Sequence, residues 1–534
     1  MTMTMHSRIF AALGLGLALA VGPVAGQAQQ SGGTMVMVTQ PEPPNLASYL
    51  STSGPIGQVS TKVYEGLITL GWDFEILPAL AKSWEVAEDG LSITFKLQEG
   101  VTWHDGTPFT SADVQHSIMN VLGAVHPRGA NTLRAVEAVE TPDDLTAVFK
   151  LSEPAPYLLV ALSGYESPIT AKHLFDGTDP RENPTANKPI GTGPFKFVEW
   201  QKGQFVRLDR NEDYWQDGKP YLDRVVIRFI ADAATRTAAM ESGEIHFGAF
   251  GAIPNIDVPR LEELDTIEVT TKGYEYFAPI MQLQFNVEVE PYNDPRVRQA
   301  IAYAVDREFV IENIWFGFGK AATGPISSNF EAAGWYSPDV KKFDVDDRIE
   351  RANKLLDEAG YPRGDDGVRF KMVHDLTPYG EDWRRFGEYT KQALAEIGIE
   401  AELRYEDVAT WLKRLYTDYD YEMSSNWLFG LPDPVLGVHR QYHSQEIRPG
   451  TVFVNGTKWS TPETDALMEK ATTETDAVTR ASIYAEFQQK IVEEAPIVFM
   501  HEMEFTTVYN AKLKDAVTGP LGVYNSFADM WIEE

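Results

Sequence analysis

Helix and strand patterns alternate along this 534-residue chain, and that alternation constrains its fold more than any other feature. Residues 91–97 alternate apolar and polar side chains with period two, which predicts a half-buried strand. Between 294 and 307 the apolar residues recur at helical spacing, which predicts a helix with one buried face. A helix pattern over 392–399 precedes a strand pattern over 400–405. Such alternation is typical of α/β domains, and the length suffices for two or three of them.

A tight turn and a helix start follow the first of these strands. Asp105-Gly106 is a turn dipeptide in which glycine supplies the positive φ. Thr110 or Ser111 is then placed to cap a helix. His104 beside Asp105 has the composition of a catalytic dyad, but its position in a tight turn favours a structural role.

Composition and charge exclude several classes of protein. Hydrophobic residues make up 43% of the chain and aromatics 11%, as in a globular protein. The formal charge is -32, from 46 basic and 78 acidic residues, which argues against nucleic acid as a partner. The chain has no cysteine, so disulfides, cysteine–zinc sites, iron–sulfur clusters and a lipid-modified N-terminal cysteine are all excluded.

The N-terminus predicts secretion. Arg8 precedes a nearly apolar run at 9–21, and the small residues Gly26 and Ala28 follow it. This is the pattern of a signal peptide, and we place its cleavage after Ala28, so that it comprises residues 1–28. No later segment contains eighteen consecutive apolar residues. We therefore expect a soluble periplasmic protein without a lipid anchor.

Five motifs carry a resemblance to a known family. They are YEGL at 64–67, PALA at 78–81 with SW at 83–84, VTWHDG at 101–106, GTGPF at 191–195 and DPRVRQAIAYAVDR at 294–307. In this order and spacing they resemble the dipeptide/oligopeptide/opine/nickel class of extracytoplasmic solute-binding proteins (solute-binding protein family 5). The resemblance covers essentially all of the chain after the signal peptide. Proteins of this class capture a solute outside the inner membrane and deliver it to an ABC importer.

The resemblance implies a fold and a set of partners. It implies an α/β, two-lobed periplasmic binding protein fold (type II-like, cluster C) with an extra inserted domain and a hinge between the lobes. The implied parts are a first lobe of 29–60, 190–285 and 497–534, an inserted domain of 61–189, and a second lobe of 290–490. The implied partners are a small-molecule or peptide ligand and the permease subunits of an ABC importer. We expect a monomer that closes around its ligand, with no cofactor and no metal.

The most informative departure from the family lies at 421–434, YEMSSNWLFGLPDP. Peptide-binding relatives have a Trp here, an acidic residue three positions later that pairs with the peptide amine, and then Asp-Pro. Trp427 and Asp433 match this pattern, but the acidic position falls on Gly430. A buried ammonium without a partner costs several kcal/mol. The usual amine anchor is therefore missing, and Asp433 or Glu42 are the candidates to replace it.

The same resemblance supplies the other pocket candidates. Trp427 and Phe429 are candidates for an apolar wall, with Asn426 beside them. Glu42 is the one charge in a ligand-lining segment at 40–46, and His501 follows a strand near the hinge. Oligopeptides or peptide-like compounds are the favoured ligands. The alternatives are an opine, an oligosaccharide or another non-peptide polar metabolite, and His501 leaves a nickel chelate open.

Signals for an enzyme are poor. His439 and His443 stand four apart, as two metal ligands on one helix face would, but surface histidines are the favoured interpretation. The HE dipeptide at 501–502 lacks the second histidine of a zinc-protease motif. The remaining enzymatic alternative is a secreted hydrolase using Asp433 with Glu422. A receptor without catalytic residues is the favoured function.

Overall fold

The computed structural model describes residues 29–533, so the predicted signal peptide at 1–28 lies outside the described residues. The described strands are β1 Thr34–Val38, β2 Ile68–Leu70, β3 Ile76–Pro78, β4 Ala81–Val86, β5 Ser92–Leu97, β6 Val136–Asp143, β7 Thr146–Leu151, β8 Phe195–Gln201, β9 Phe205–Arg210, β10 Arg224–Arg228, β11 Phe247–Gly248, β12 Ile267–Thr270, β13 Pro279–Phe285, β14 Gly319–Ala321, β15 Phe370–Asp375, β16 Ile399–Arg404, β17 Met423–Phe429, β18 Ile497–Met503, β19 Thr507–Asn510, β20 Leu513–Lys514 and β21 Trp531–Ile532.

The described α-helices are α1 Gly54–Ser60, α2 Ser111–His116, α3 Gly123–Val125, α4 Gly129–Thr132, α5 Leu158–Ala161, α6 Lys172–Phe175, α7 Ala233–Glu241, α8 Val258–Glu262, α9 Pro295–Ala304, α10 Arg307–Asn313, α11 Arg348–Glu358, α12 Glu381–Glu396, α13 Val408–Lys413, α14 Pro434–Gly437, α15 Pro462–Thr473 and α16 Ala477–Glu494. None of these helices combines the length and apolar character needed to cross a membrane.

Three large sheets contain most of these strands, and the pairs β2-β3 and β20-β21 form two small sheets. The first sheet has the strand order β12-β19-β11-β1-β10-β9-β8, and β1 pairs in parallel with both of its neighbours. The second sheet has the order β14-β18-β13-β17-β15-β16, in which β15 is parallel to β16 and β17. The third sheet, β4-β5-β7-β6, is antiparallel throughout. The predicted α/β class is therefore confirmed.

The third sheet is an insertion into the first. All four of its strands lie in the chain between β1 and β8, which both belong to the first sheet. One apolar core runs through the first and third sheets, whereas the second sheet and helices such as α9, α12 and α16 share a separate core. The two cores mark two bodies, one of which carries the insertion.

Two strands of the second sheet lie in ranges that the resemblance implies for the first lobe. The first lobe was predicted to include 190–285 and 497–534, but β13 and β18 lie side by side in the second sheet. All seven residues of each strand are buried, as expected for central strands paired on both edges. The chain therefore passes from the first sheet to the second after β12, and it returns after β18.

The structure contains two of the predicted local motifs and defines two further helix ends. The period-two stretch forms β5, and Thr110 caps α2 through a capping box with Asp113. Asp294 caps α9 by accepting the N–H of Arg296. Gly360, at φ +93°, follows α11 and ends it in the left-handed region.

Candidate functional site

A cluster of aromatic side chains fills the junction between the two bodies. We name it the junction cluster and define it as Phe250, Tyr274, Phe277, Trp427, Phe429, Phe505 and Tyr524. Phe250 stacks on Phe505 with ring centroids 4.3 Å apart, and Phe277 lies 5.0 Å from Phe429. Tyr274, Phe277 and Phe505 lie on the two segments that connect the first sheet to the second. The hinge region is therefore lined with rings.

Strand β17 contributes two predicted site residues to this cluster. Trp427 and Phe429 are the two residues of β17 that remain partly exposed, and their spacing of two places them on one face. Their ring centroids are 5.1 Å apart, and Trp427 also lies 5.6 Å from Phe505. The predicted apolar wall thus consists of rings from both bodies.

Gly430 ends this wall, and its surroundings are apolar and tight. Its N–H donates to the carbonyl of Phe277 at 2.9 Å. A Cβ at this position would lie 3.3 Å from the ring of Phe330 and 3.4 Å from the carbonyl of Ala278. Phe330 in turn packs against Phe74 of the β2–β3 turn, with ring centroids 5.3 Å apart. An aromatic ring therefore borders the position that the family resemblance assigned to an amine-binding carboxylate.

Asp433 is occupied by a structural ion pair. Its two carboxylate oxygens accept hydrogen bonds from Arg480 at 2.7 and 2.9 Å, and both side chains are almost fully buried. Asp433 also caps α14 by accepting the N–H of Val435. Although burial opposes it, the Asp433 carboxylate holds the pKa of Arg480 above its ordinary value. Asp433 is thus not free to replace the missing amine anchor.

Glu42 is likewise engaged, in the first sheet. Its carboxylate accepts the indole N–H of Trp200 at 3.0 Å and the backbone N–H of Gly203 at 3.0 Å. Both donors belong to the β8–β9 hairpin. Glu42 therefore stabilises a turn, and it too is not free to anchor an amine.

Asn426 and His501 lie inside the second body. Asn426 is fully buried and donates to the hydroxyl of Tyr416 at 2.8 Å and to Gln284 at 3.3 Å. His501 packs against Trp315, and neither of its ring nitrogens has a hydrogen-bond partner among residues 29–533. Burial lowers the pKa of His501 to about 3, so the ring is neutral. Of the predicted site residues, only Trp427, Phe429 and Gly430 come together at the junction.

A cleft beside the junction contains residues that the sequence analysis missed. It is a cavity of about 490 Å³ between the inserted domain around 127–134 and the second body around 435–454. Four arginines line it: Arg128, Arg134, Arg440 and Arg448. Asn131 closes it by donating to Glu446 across the cleft at 3.2 Å. These arginines lie between positions 128 and 448, 320 residues apart at most, so no local sequence motif identifies them.

The YEGL motif has a structural role. Glu65 is buried and accepts hydrogen bonds from Tyr214 and Thr192, each at 2.8 Å. Burial raises its pKa to about 7, against the effect of these donors. A Cβ on Gly66 would lie 2.5 Å from the carbonyl of Leu162, so only glycine fits there. The motif thus joins the inserted domain to the first sheet.

The features that suggested an enzyme are accounted for separately. His439 is buried beside the hydroxyl of Tyr484 at 3.2 Å, so the expectation of a surface histidine is wrong for it. Glu422 accepts the N–H of Val373, whereas Asp433 pairs with Arg480. Within residues 29–533 no three His, Cys, Asp or Glu side chains are grouped to hold a metal. His104 also has a partner of its own, since its Nε2 lies 2.9 Å from the carbonyl of Gly193.

Two bodies, an insertion and a cleft at their junction define a two-lobed binding protein. A sequence model described as bacterial extracellular solute-binding proteins, family 5 Middle, matches residues 75–448. The chain belongs to that family of solute receptors, as the motifs at 64–307 predicted.

Individual relatives agree with this assignment. The oligopeptide-binding protein AppA of Bacillus subtilis is 29% identical over 497 residues, covering 89% of this chain and 87% of the relative. The structure of DppA from Helicobacter pylori in complex with the peptide STSA has a TM-score of 0.80 at 26% identity, over 95% of this chain and 99% of the other. AgaA of A. tumefaciens R10 in complex with agropinic acid has a TM-score of 0.75 at 27% identity, over 94% and 99%.

Proposed function

We propose that this protein captures a peptide or peptide-like solute between its two lobes and delivers it to the permease subunits of an ABC importer. Support comes from family membership and from relatives whose names specify oligopeptide and dipeptide binding. The observation that carries the proposal is the ring-lined junction beside a cavity of about 490 Å³. A cavity of that size falls within the roughly 300–1,000 Å³ usual for small-molecule sites.

Lobe closure is the proposed mechanism. The proposed parts are a first lobe built on the first sheet, the inserted domain, and a second lobe that includes β13 and β18. The segments after β12 and β18 would act as the hinge, because they are the connections between the two large sheets. Closure would bury the solute against the junction cluster and create the surface that the permease recognises.

A non-peptide polar ligand is the second candidate. Gly430 stands where peptide-binding relatives place their amine anchor, and neither Asp433 nor Glu42 is free to replace it. The structural neighbour AgaA holds agropinic acid, which is not a simple peptide. An opine or a related metabolite would need no carboxylate at Gly430.

Three further properties belong to the proposal. The protein would release its solute chemically unchanged, since the family consists of receptors. It would act in the periplasm after removal of residues 1–28, and it would act as a monomer. Its mode of action would be a change in lobe orientation on ligand binding.

Mass spectrometry of the compound that co-purifies with the protein tests this function. The protein is isolated gently, denatured, and the released compounds are identified. A heterogeneous set of short peptides would establish a peptide receptor whose amine is held without a carboxylate at position 430. A single non-peptide compound would contradict peptide binding and name the ligand class directly.

A further inference from the structure

Arg440 is a cation in the cleft that lacks an ion pair. Its Nε donates to the carbonyl of Gly437 at 3.1 Å, and its Nη1 donates to that of Phe453 at 3.1 Å. Its Nη2 lies 3.5 Å from the carbonyl of Phe429. These are neutral acceptors, and Arg440 forms no ion pair with any carboxylate of residues 29–533. By contrast, Arg480 forms an ion pair with the carboxylate of Asp433.

The carboxylates near Arg440 are already used. Glu166 is held by Arg128, whose Nε donates to its two oxygens at 2.8 and 3.0 Å. Glu446 pairs with Arg448 and also accepts from Asn131. The lining of the cleft therefore contains more positive than negative charge, although the whole chain has an excess of acidic residues.

Holding the charged Arg440 side chain in the cleft costs free energy until an anion binds beside it. Burial lowers the pKa of Arg440 to about 10, and the positive charge of Arg128 acts in the same direction, whereas the negative charges of Glu166 and Glu446 oppose this shift without reversing it. A guanidinium has five N–H donors, of which the three carbonyls use three. Its planar geometry suits a carboxylate, which can accept two parallel hydrogen bonds.

We propose that Arg440 binds a carboxylate of the solute in this cleft, so that the transported compounds are carboxylate-bearing. This inference rests on the proposed receptor function, because it assigns a ligand group to the same cleft. The carbonyl of Phe429 lies next to Arg440, so the anion would sit beside the junction cluster. The solute would then present a carboxylate to Arg440 and its apolar part to the rings.

Isothermal titration with tetra-alanine and with tetra-alanine amide tests this assignment. The two probes differ in the terminal carboxylate. Wild-type protein should bind the acid at least tenfold more tightly than the amide, as one charge-assisted pair would give. Arg440→Gln should lose that preference, and Arg440→Lys should keep part of it. Arg260→Gln is the matched control, because Arg260 is half-exposed on α8 and pairs with Glu241 far from the cleft lining.

A purely structural arginine predicts a different pattern. If Arg440 only held its three carbonyls, Arg440→Gln would lower the unfolding midpoint of the ligand-free protein and leave the acid-to-amide ratio unchanged. That result would overturn the inference, as would equal binding of acid and amide by the wild type. We expect the ligand-free variant to be at least as stable as the wild type, because a partly buried charge without an ion pair is removed.

The compound that co-purifies decides the case if neither probe binds. An acidic non-peptide compound that is held by the wild type and by Arg260→Gln but lost from Arg440→Gln would contradict peptide transport and support the carboxylate site. A neutral or cationic compound, equal retention by Arg440→Gln, or recovery of no acidic compound would overturn the site. The failure of the inference and that of the proposed function are therefore distinguishable.

Discussion

The two ends of the segment from Trp427 to Arg440 differ in charge. One end is neutral, and the other carries a cation without an ion pair. The Trp427–Gly430 end is neutral and packs against rings, with Phe330 bordering Gly430. The other end carries Arg440, which donates only to carbonyls. Between them Asp433 is held by Arg480 in a buried pair. One short segment thus contains an apolar wall, a completed ion pair and a cation without one.

This difference separates the scaffold from the site. Buried polar groups in folded proteins normally have partners, and a buried charge normally has a counter-charge. Asp433 and Arg480 satisfy each other, so they contribute to the structure of the second lobe. Arg440 does not meet this rule, and its place in a cleft makes a ligand the natural counter-charge.

The largest expected effect on the free energy of unfolding is at the ion pair of Asp433 and Arg480. Asp433→Asn keeps the shape of the side chain but leaves Arg480 buried without a counter-charge. We expect a loss of about 3–5 kcal/mol in the free energy of unfolding, measured by urea denaturation. Asp347→Asn is the control, because Asp347 pairs with Arg351 on the solvent-exposed surface, where the loss should be much smaller. Equal losses in the two variants would contradict the structural role of Asp433.

Acidification should lower the free energy of unfolding through the buried neutral histidines of the second lobe, whereas its arginines stay charged. A histidine in the unfolded chain takes up a proton near pH 6.5, whereas burial lowers the pKa of folded His501 to about 3. The stability from the neutral ring is therefore present above pH 6.5 and lost as the pH falls towards 3. The loss amounts to about 2 kcal/mol by about pH 5.

Urea denaturation across pH measures this loss. His501→Leu should show a shallower fall in unfolding free energy with acid than the wild type. His374→Leu is the matched variant, since burial also lowers the pKa of His374 to about 3 in the same lobe. A slope that neither substitution changes would contradict burial of the two neutral rings.

Restoring a carboxylate at the neutral end should change its ligand preference. Gly430→Asp should strengthen binding of tetra-alanine about tenfold relative to N-acetyl-tetra-alanine, through one charge-assisted pair with the free amine. Phe330 must shift to admit the side chain, because the added Cβ alone comes within 3.3 Å of its ring. Gly430→Asn has the same shape without the charge and serves as the control. Unchanged or lower affinity for the free amine would show that the amine site lies elsewhere.

The smallest effect is expected at Glu42, which lies outside this segment. Glu42→Ala removes the acceptor of the Trp200 and Gly203 N–H groups, so we expect a loss of about 1 kcal/mol in unfolding free energy. Ligand affinity, measured by isothermal titration, should not change. Glu42→Gln keeps one acceptor oxygen and should lose less stability. A clear loss of ligand affinity in either variant would place Glu42 in the pocket instead.

Much of the local structure could be predicted from the sequence because its causes lie within a few residues. The strand from the alternation at 91–97 and the helix cap at Thr110 both appear as expected. That Trp427 and Phe429 share one face of β17 is a finding of the structure, and their role as a ligand wall stays a prediction. The sheet that contains β13 and β18 could not be predicted, because a strand is assigned to a sheet by its pairing partners.

The partners of charged residues could not be predicted. Asp433 and Glu42 are acidic residues near expected ligand segments, and nothing adjacent in the chain reveals that Arg480 and Trp200 engage them. Arg440 resembles any other arginine in the sequence. Its lack of a counter-charge is evident only from the contacts that surround it.

The sequence by itself determined the family, the α/β class and the positions of caps, turns and periodic strands, since these depend on short-range chemistry. Only the tertiary structure decided which carboxylates are already paired, which strands share a sheet, and that Arg128 and Arg440 face one cleft. The physical reason is that ion pairing and burial depend on distance in space, and folding brings together residues as far apart as 128 and 440. The charge that we assign to ligand binding therefore emerged from packing.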